Sequence, residues 1–332
     1  MMDQHSLWAW AIFHVFVLAM LALDLGVFHR RQHAVSVKEA LAWTGVWVAV
    51  AMIFNAIILF WGDDLNLLAY DSNGNAMSRQ RTAALFLTAY LVEKSLSMDN
   101  VFVFLIIFRY FAIPSEYQHK TLFWGILGAL VMRLIFILAG VALLEHFHWV
   151  GYIFGAVLIF TGFRLWTQSD EQVQPERNPV LRLIRRVIPI QTDLAGGRFA
   201  VKRDGKWFAT PLLVALLVIE TTDVVFAIDS VPAVLGITRD PFIAYSSNVF
   251  AILGLRALYF ALAGIMPLFK DLHYGLAFVL IFVGGKMIAG QIIHLPDWMH
   301  WVSLAVIGGT MLISTLTSII RHKDEVDLDA TV

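Results

Sequence analysis

Two stretches of the chain carry the same pattern of polar residues inside apolar surroundings. The first, EKSLSMDNV, covers residues 93–101, and the second, DVVFAIDSV, covers residues 223–231. In each, a carboxylate is followed after five residues by an aspartate, a small polar residue and a valine. An ionised side chain in hydrocarbon costs at least about 2.5 kcal/mol, so such residues usually face a partner or a cavity and mark a functional site.

The polar residues of these stretches are oxygen donors, which makes them candidate ligands of a cation. Carboxylate, amide and hydroxyl oxygens suit hard divalent cations such as Mg²⁺, Ca²⁺ and Mn²⁺. The chain has no cysteine, which excludes disulfides, thiolate metal sites and thiol redox chemistry. The candidate metal ligands are Glu93, Asp99, Asn100, Asp223, Asp229 and Ser230, with Glu220, Lys94, Arg133 and Arg256 as further members of the site.

The basic members of this set are expected to act as counter-ions rather than ligands. Without a metal ion, the carboxylates would pair with the buried lysine and arginines or take up protons, so exchange of the metal for protons is a natural hypothesis. Ion pairs that only hold the helices together are the alternative. Glu220 aligns with Tyr90 and has no acidic counterpart in the first stretch.

Composition indicates a polytopic membrane protein. Of 332 residues, 59% are hydrophobic and 15% are charged, against about 25% charged residues in soluble domains. Mean hydropathy is +0.73. The formal net charge of −1 argues against a nucleic-acid partner, and no nucleophile, base and orienting group recur at a usable spacing, so we expect no enzymatic activity.

Runs of about 20 apolar residues predict nine transmembrane helices. They cover residues 7–28, 40–61, 82–108, 121–144, 149–166, 211–237, 242–265, 272–293 and 298–320. Most of the 24 lysines and arginines fall in inner segments if the N-terminus is outside, and positive charge favours the cytoplasmic side. We therefore expect an outer N-terminus and a cytoplasmic C-terminus.

Helices three to five recur as helices six to eight. RLIFILAG, residues 133–140, matches RALYFALAG, residues 256–264, and YIFGAVLIFTGFR, residues 152–164, matches YGLAFVLIFVGGK, residues 274–286. By the charge rule the two triplets have opposite topology, and inverted repeats are typical of secondary transporters with a substrate site near the midplane. The predicted organisation is two N-terminal helices and an outer loop (1–81), the first repeat (82–166), a basic cytoplasmic loop (167–209), the second repeat (210–293) and a last helix with a cytoplasmic tail (294–332).

Helix geometry predicts how the two acidic stretches meet. Counting about 1.5 Å per residue from each predicted midpoint puts Glu93 and Asp229 on the outer side of the midplane and Asp99 and Asp223 on its inner side. If helices three and six cross antiparallel, Asp99 faces Asp223 and Glu93 faces Asp229. Glu93 and Asp99 do not share a face of a regular helix, so either the two layers bind different ions or the helix is broken there.

The loop between the repeats is the main polar segment. Residues 178–190 predict a basic amphipathic helix on the inner leaflet, and residues 199–209 alternate around Asp204 and Gly205 as in a β-hairpin. A tether that only enforces topology and a regulatory element both fit this pattern.

Five long motifs resemble those of a known family. LDLGVFHRRQHAVSVKEAL, YLVEKSLSMDNVFVF, FWGILGALVMR, DVVFAIDSVPAV and SNVFAILGLRALYF are similar to the TerC/Alx family of integral membrane proteins, which is named for tellurium resistance and resembles the wider lysine-exporter superfamily. The resemblance covers residues 21–286 and implies a bacterial inner-membrane protein of metal-ion homeostasis, with manganese efflux as the role of members that resemble Alx. Carried over residue by residue, the acidic motif of the family falls on Glu93, Asp99, Asn100, Asp223, Asp229 and Ser230.

These observations predict an all-α transporter of nine transmembrane helices with two inverted three-helix repeats. It is expected to export a hard divalent cation through carboxylates of helices three and six, without a resident cofactor. Manganese is the favoured ion, and calcium fits the same ligands. The alternative is a membrane scaffold of a tellurium-resistance, stress-resistance or membrane-insertion complex that docks partners through the basic loop.

Overall fold

The computed structural model describes residues 7–28, 37–71, 74–167, 189–191, 193–203, 205–265, 272–293, 295–296 and 298–322, with the side chains of residues 24–28, 99 and 263–265 left undescribed. Ten α-helices and one β-hairpin make up the described part of the chain. They are α1 (Leu7–Phe28), α2 (Val37–Trp61), α3 (Arg79–Tyr110), α4 (Ser115–His146), α5 (Val150–Thr167), β1 (Ala200–Arg203), β2 (Lys206–Ala209), α6 (Pro211–Leu235), α7 (Pro241–Leu253), α8 (Leu255–Ile265), α9 (Leu272–Ile292) and α10 (Met299–His322).

The helices that carry the candidate site begin at recognisable caps. Ser78 precedes α3, and its side chain accepts a hydrogen bond from the backbone N–H of Arg81. Asp240 caps α7 in the same way by accepting from Ile243 N–H, and Pro241 supplies the fixed φ that suits a first helical turn. Such caps satisfy backbone donors that a lipid-embedded helix end would otherwise leave unpaired.

Six described helices are long and apolar enough to cross a membrane, namely α2, α4, α5, α6, α9 and α10. The bent pair α7 and α8 passes the same test when its two helices are taken together as one span. Helix α3 is as long as α4, at 32 residues, but it carries the charged residues of the first acidic stretch and is not among these six. The protein is thus a mostly helical, polytopic membrane protein, and the count of nine spans stays a prediction.

Helix packing joins the two predicted triplets to each other rather than keeping them apart. Helix α4 packs on α6, and α3 packs on α7, which is the corresponding contact if the triplets are exchanged. Helices α5 and α9, which also correspond, pack along each other. The core therefore lies between the triplets.

The contact between α5 and α9 depends on glycine. A Cβ at Gly284 would lie 2.6 Å from the backbone oxygen of Gly155, and one at Gly162 would lie 2.7 Å from the oxygen of Ala277. Such close backbone approach is a common way for helices to associate in lipid, where no hydrophobic effect drives them together.

The predicted seventh helix, residues 242–265, is wrong as a single element. The structure divides it into α7 and α8, which meet at Gly254 with a bend of 41°. A break within α3 or α6, one of the two alternatives that the sequence left open, is also not found, because α3 is continuous through Glu93 and α6 continues through Pro232.

The loop between the two triplets, residues 168–210, is described only in part. The predicted hairpin is confirmed, since β1 and β2 pair antiparallel with Ala200 opposite Ala209, and Gly205 adopts the positive φ of +78° that its turn requires. Most of the predicted amphipathic helix, residues 178–188, lies outside the described residues. The hairpin region contacts α4 through Lys120, whose Nζ donates to the backbone oxygen of Gly197 at 2.9 Å.

Candidate cation site

Four helices bring one buried polar cluster together near the centre of the protein. Helix α3 contributes Glu93, α4 contributes Arg133, α6 contributes Asp223 and α7 contributes Asn248. Glu93 and Asn248 are fully buried, and Arg133 is 1% exposed. Removing charged groups from water to this extent is costly unless they are paired and hydrogen-bonded.

Arg133 joins the two carboxylates. Its Nη1 donates to Glu93 Oε1 in an ion pair, and its Nη2 lies 3.5 Å from Asp223 Oδ1. Asn248 completes the cluster, because its Nδ2 donates to Glu93 Oε2 at 3.0 Å while its Oδ1 accepts from Arg133 Nη1 at 3.2 Å. With both carboxylates ionised, the cluster has more negative than positive charge.

The predicted pairing of Glu93 with Asp229 is wrong, because Glu93 is linked to Asp223 instead. The predicted depths in the membrane were wrong because the helix midpoints were misplaced. Helix α3 extends from Arg79 to Tyr110, so its centre lies next to Glu93, and Asp223 is the central residue of α6. Glu93 and Asp223 therefore lie at similar positions along their helices. Asp229 lies elsewhere, accepting a hydrogen bond of 2.8 Å from Thr161 of α5.

A small cavity of ≈ 10 Å³ opens beside the cluster, which is room for about one water molecule. Its polar walls are Arg133, Asp223, Ser97 and Asn100. Among the described residues, Asp223 Oδ2 and Ser97 Oγ have no hydrogen-bond partner although they are buried. Two oxygen atoms in the cavity wall therefore lack a hydrogen-bond partner in the described structure. A water molecule, a proton or a cation in the cavity could supply the missing interaction.

Three other predicted site residues lie on α6, α8 and α3. Ser230 is buried and its Oγ has no partner among the described residues. Arg256 is 1% exposed and lies on α8, two residues beyond the bend at Gly254. Asp99 lies on α3, but its side chain is outside the described part of the chain. Across the described side chains, no three His, Asp or Glu residues form a ready-made metal site.

Lys94 and Glu220 each contact a backbone position of the opposite triplet. Lys94 Nζ donates to the backbone oxygen of Ala251 in α7 at 3.2 Å. The carboxylate of Glu220 lies over Gly128 of α4, in the space where any larger residue would place its Cβ. Glu220 is half-buried and lies one helical turn from Asp223 on α6.

Sequence reasoning missed Asn248, Ser97 and Thr161. Asn248 could have been found, since an amide in the apolar run of α7 has the same cost in lipid that singled out Glu93. Ser97 and Thr161 carried no such signal, because hydroxyl side chains commonly bond to their own helix backbone.

Comparison with known proteins gives a consistent family. The family model described as "Integral membrane protein TerC family" matches residues 78–326. The chain is 47% identical over 324 residues to the "Uncharacterized membrane protein STKORF319" of Myxococcus xanthus, covering 97% of this chain and 95% of that protein. It is 42% identical over 306 residues to the "Putative membrane-bound redox modulator Alx" of Escherichia coli (strain K12), covering 92% of each chain. No solved structure matches the chain.

Proposed function

The chain belongs to the TerC family of integral membrane proteins, and from this premise we propose that it is a secondary transporter that exports a hard divalent cation, with manganese as the favoured substrate. The observation that carries the proposal is that Glu93 and Asp223, from helices α3 and α6, share the buried Arg133. Its setting is a bacterial inner membrane, with the N-terminus outside and the C-terminus in the cytoplasm. Similarity of this family to the lysine-exporter superfamily stays a prediction.

In this proposal Arg133 is an internal counter-ion that takes the place of the metal between transport events. Its guanidinium neutralises part of the charge of Glu93 and Asp223, which would repel each other if left alone in a low-dielectric core. A divalent cation that enters beside them displaces Arg133 and uses the same carboxylate oxygens, together with the oxygens of Asn100 and Ser97 that line the cavity. Hard divalent cations, manganese among them, prefer such oxygen donors.

Asp99, Asp229 and Ser230 extend the proposed pathway along α3 and α6, and Arg256 is the proposed second counter-ion. When the metal leaves, the carboxylates either recover their arginines or take up protons. This gives a physical basis for proton-coupled exchange.

The packing of the triplets supports alternating access by two inverted repeats. In the predicted repeat, α3 corresponds to α6 and α4 corresponds to α7. The contact between α4 and α6 therefore corresponds to the contact between α7 and α3, and the structure contains both contacts. In transporters built from inverted repeats, rocking of one repeat against the other opens a central site to each side in turn.

Glu220 is proposed to collect the cation on the cytoplasmic side of Asp223. It lies one turn nearer to the N-terminal end of α6 than Asp223, which is the cytoplasmic end in the proposed topology. Gly128 leaves the space that its carboxylate occupies. Gly128→Ala should displace Glu220 and raise the manganese concentration needed for half-maximal export. Gly45→Ala on α2 is the control, because a Cβ at Gly45 would have nothing within 4 Å and Gly45 does not line the cavity.

The test of the main proposal is cellular manganese by elemental analysis in a manganese-sensitive host after a manganese load. The parent protein should lower the metal content, and Asp223→Asn should not, because one of the two shared carboxylates is lost. Asp193→Asn is the control, since Asp193 is an exposed aspartate of the cytoplasmic loop, 3.6 Å from Arg203. The proposal fails if Asp223→Asn protein, present at the parent level, exports manganese as well as the parent does. If the parent protein lowers cellular calcium instead of manganese, calcium replaces manganese as the proposed substrate.

The second candidate is a membrane scaffold, favoured by the contact of the cytoplasmic loop with α4 at Lys120 and Gly197. Deleting residues 171–187 leaves that contact in place and removes basic residues that a partner would bind. A scaffold should lose function in this deletion and keep it in Asp223→Asn. The relatives named as redox modulators bring no thiol mechanism to this chain, because it has no cysteine.

A further inference from the structure

The break between α7 and α8 is a feature of one half of the protein only. The two helices meet at Gly254 with a bend of 41°, whereas α4, the corresponding helix of the first triplet, is continuous from Ser115 to His146. A lipid-embedded helix break leaves backbone carbonyls without their intrahelical partners, and these need another donor.

The side chain of Lys94 supplies that donor. Its Nζ lies 3.2 Å from the backbone oxygen of Ala251, within the last turn of α7. The carbonyl end of a helix carries partial negative charge, so an ammonium is a favourable group there. Lys94 is 9% exposed, and its neighbour Glu93 is engaged by Arg133 and Asn248 instead. The ammonium of Lys94 is thus held by the helix end rather than by the nearest carboxylate.

Gly254 makes this position accessible to the ammonium. A Cβ at residue 254 would lie 2.9 Å from the Cβ of Trp47 and 3.1 Å from Lys94 Nζ. The Trp47 Cβ is fixed to α2, so an added methyl group would push the bend away from α2 and would also displace the lysine ammonium. Glycine at the bend and lysine beside it are therefore parts of one contact.

This contact is connected to the carboxylate cluster on both sides of the bend. Asn248, one turn before Ala251, bonds to Glu93 from the same face of α7. Ile252 and Leu255, which flank the bend, line the cavity that contains Asp223. A change in the angle at Gly254 would move both the walls of the cavity and Arg256.

We propose that Lys94 is a positioning residue that latches the hinge at Gly254: its bond to the Ala251 carbonyl holds α8 in the angle that closes the cavity beside Asp223, and release of that bond lets α8 pivot and opens the cavity. Hinges in transporters and other switching proteins are a few residues at element ends. The inference rests on the proposed transporter function for its purpose, since it describes how the proposed metal site is opened.

Accessibility of the cavity tests the latch without any transport measurement. Because the protein has no cysteine, Ser97→Cys places a single thiol in the cavity wall. Its reaction rate with a membrane-impermeant maleimide is measured in inside-out and right-side-out vesicles, with and without Lys94→Met. Lys94→Met should speed labelling from one side by about 5- to 150-fold, the range of an ordinary conformational coupling.

Lys286→Met is the matched control, because Lys286 is a half-buried lysine of α9 whose charge lies near Arg81 instead. It should leave the labelling rate unchanged. Gly254→Ala is the second variant, which keeps the ammonium but displaces it, and it should also speed labelling. Equal rates for the parent and both latch variants would overturn the latch.

The outcomes separate the latch from the proposed function. Unchanged labelling together with loss of export in Asp223→Asn would refute the latch and leave the transporter in place. Faster labelling in Lys94→Met, combined with no manganese export by any variant including the parent, would support the latch and refute the metal substrate.

Discussion

Replacement of Arg133 by methionine removes the guanidinium that pairs with both Glu93 and Asp223. Methionine keeps the unbranched apolar stem of the side chain, so the main loss is the guanidinium and its hydrogen bonds. Two buried carboxylates and Asn248 are then left without their shared donor. The change therefore tests whether Arg133 balances the charge of this cluster.

The expected cost is large because the partners are buried. Breaking a buried pair by removing one member typically costs about 3–5 kcal/mol, since the remaining charge stays desolvated. Arg79→Met is the control, because Arg79 pairs with Asp63 at 2.5 Å but the two side chains are 43% and 50% exposed. An exposed pair of this kind contributes about 0–1 kcal/mol. Thermal stability of the detergent-solubilised proteins, followed by loss of the monodisperse fraction, should therefore fall clearly only in Arg133→Met.

Manganese should restore part of this loss. In the proposed mechanism, the carboxylates of Arg133→Met are free to bind a divalent cation, whereas in the parent the cation must first displace the guanidinium. At a free metal concentration 100 times its dissociation constant, binding stabilises the folded state by about 2.7 kcal/mol. Stabilisation by Mn²⁺ should thus be greater in Arg133→Met than in the parent.

Two results would contradict this reasoning. If Arg133→Met protein is as stable as the parent, the cluster does not depend on the guanidinium. If Mn²⁺ stabilises the variant no more than it stabilises the parent, then Arg133 does not occupy a position that the metal uses.

Two further predictions concern α9 and α5, the last helices of the two predicted triplets. Gly284→Ala should lower the thermal midpoint, because its Cβ would lie 2.6 Å from a backbone oxygen of α5 and an overpacked contact typically costs about 1–3 kcal/mol of stability. The adjacent Gly285→Ala, whose Cβ would have nothing within 4 Å, should leave the midpoint unchanged. Equal midpoints for the two variants would refute the glycine contact. Thr161→Val removes the 2.8 Å hydrogen bond to Asp229 and should weaken manganese export. Thr167→Val, which loses bonds to the backbone of its own helix, should leave export unchanged. Unchanged export by Thr161→Val would show that export does not depend on this hydrogen bond of Asp229.

Several elements of the fold and site could be predicted from residues alone. The cost of charge in lipid was sufficient to single out Glu93, Asp223 and Arg133, and all three meet in one buried cluster. Alternation of side chains and a glycine turn were sufficient for the hairpin of β1 and β2. These features follow from local properties, namely hydropathy along the chain and the backbone freedom of glycine.

Membership of the cluster was harder to predict than its chemistry. Depth counting joined Glu93 to Asp229, although Arg133 reaches across to Asp223 and Thr161 bonds to Asp229. An error of one or two residues in a helix midpoint is enough to change the partner, because each residue moves the side chain by about 1.5 Å along the axis and by about 100° around it.

The sequence by itself determined that the protein is a helical membrane protein with paired acidic stretches, because the transfer of apolar and charged groups between water and lipid depends on residue type. Only the tertiary structure decided that Asn248 completes the cluster, that α7 and α8 bend at Gly254, and that Lys94 bonds to Ala251. Helices surrounded by lipid and by one another are apolar on most faces, so hydropathy says little about which face meets which neighbour. Register and rotation are set by close contacts between helices, and those contacts exist only once the helices have packed.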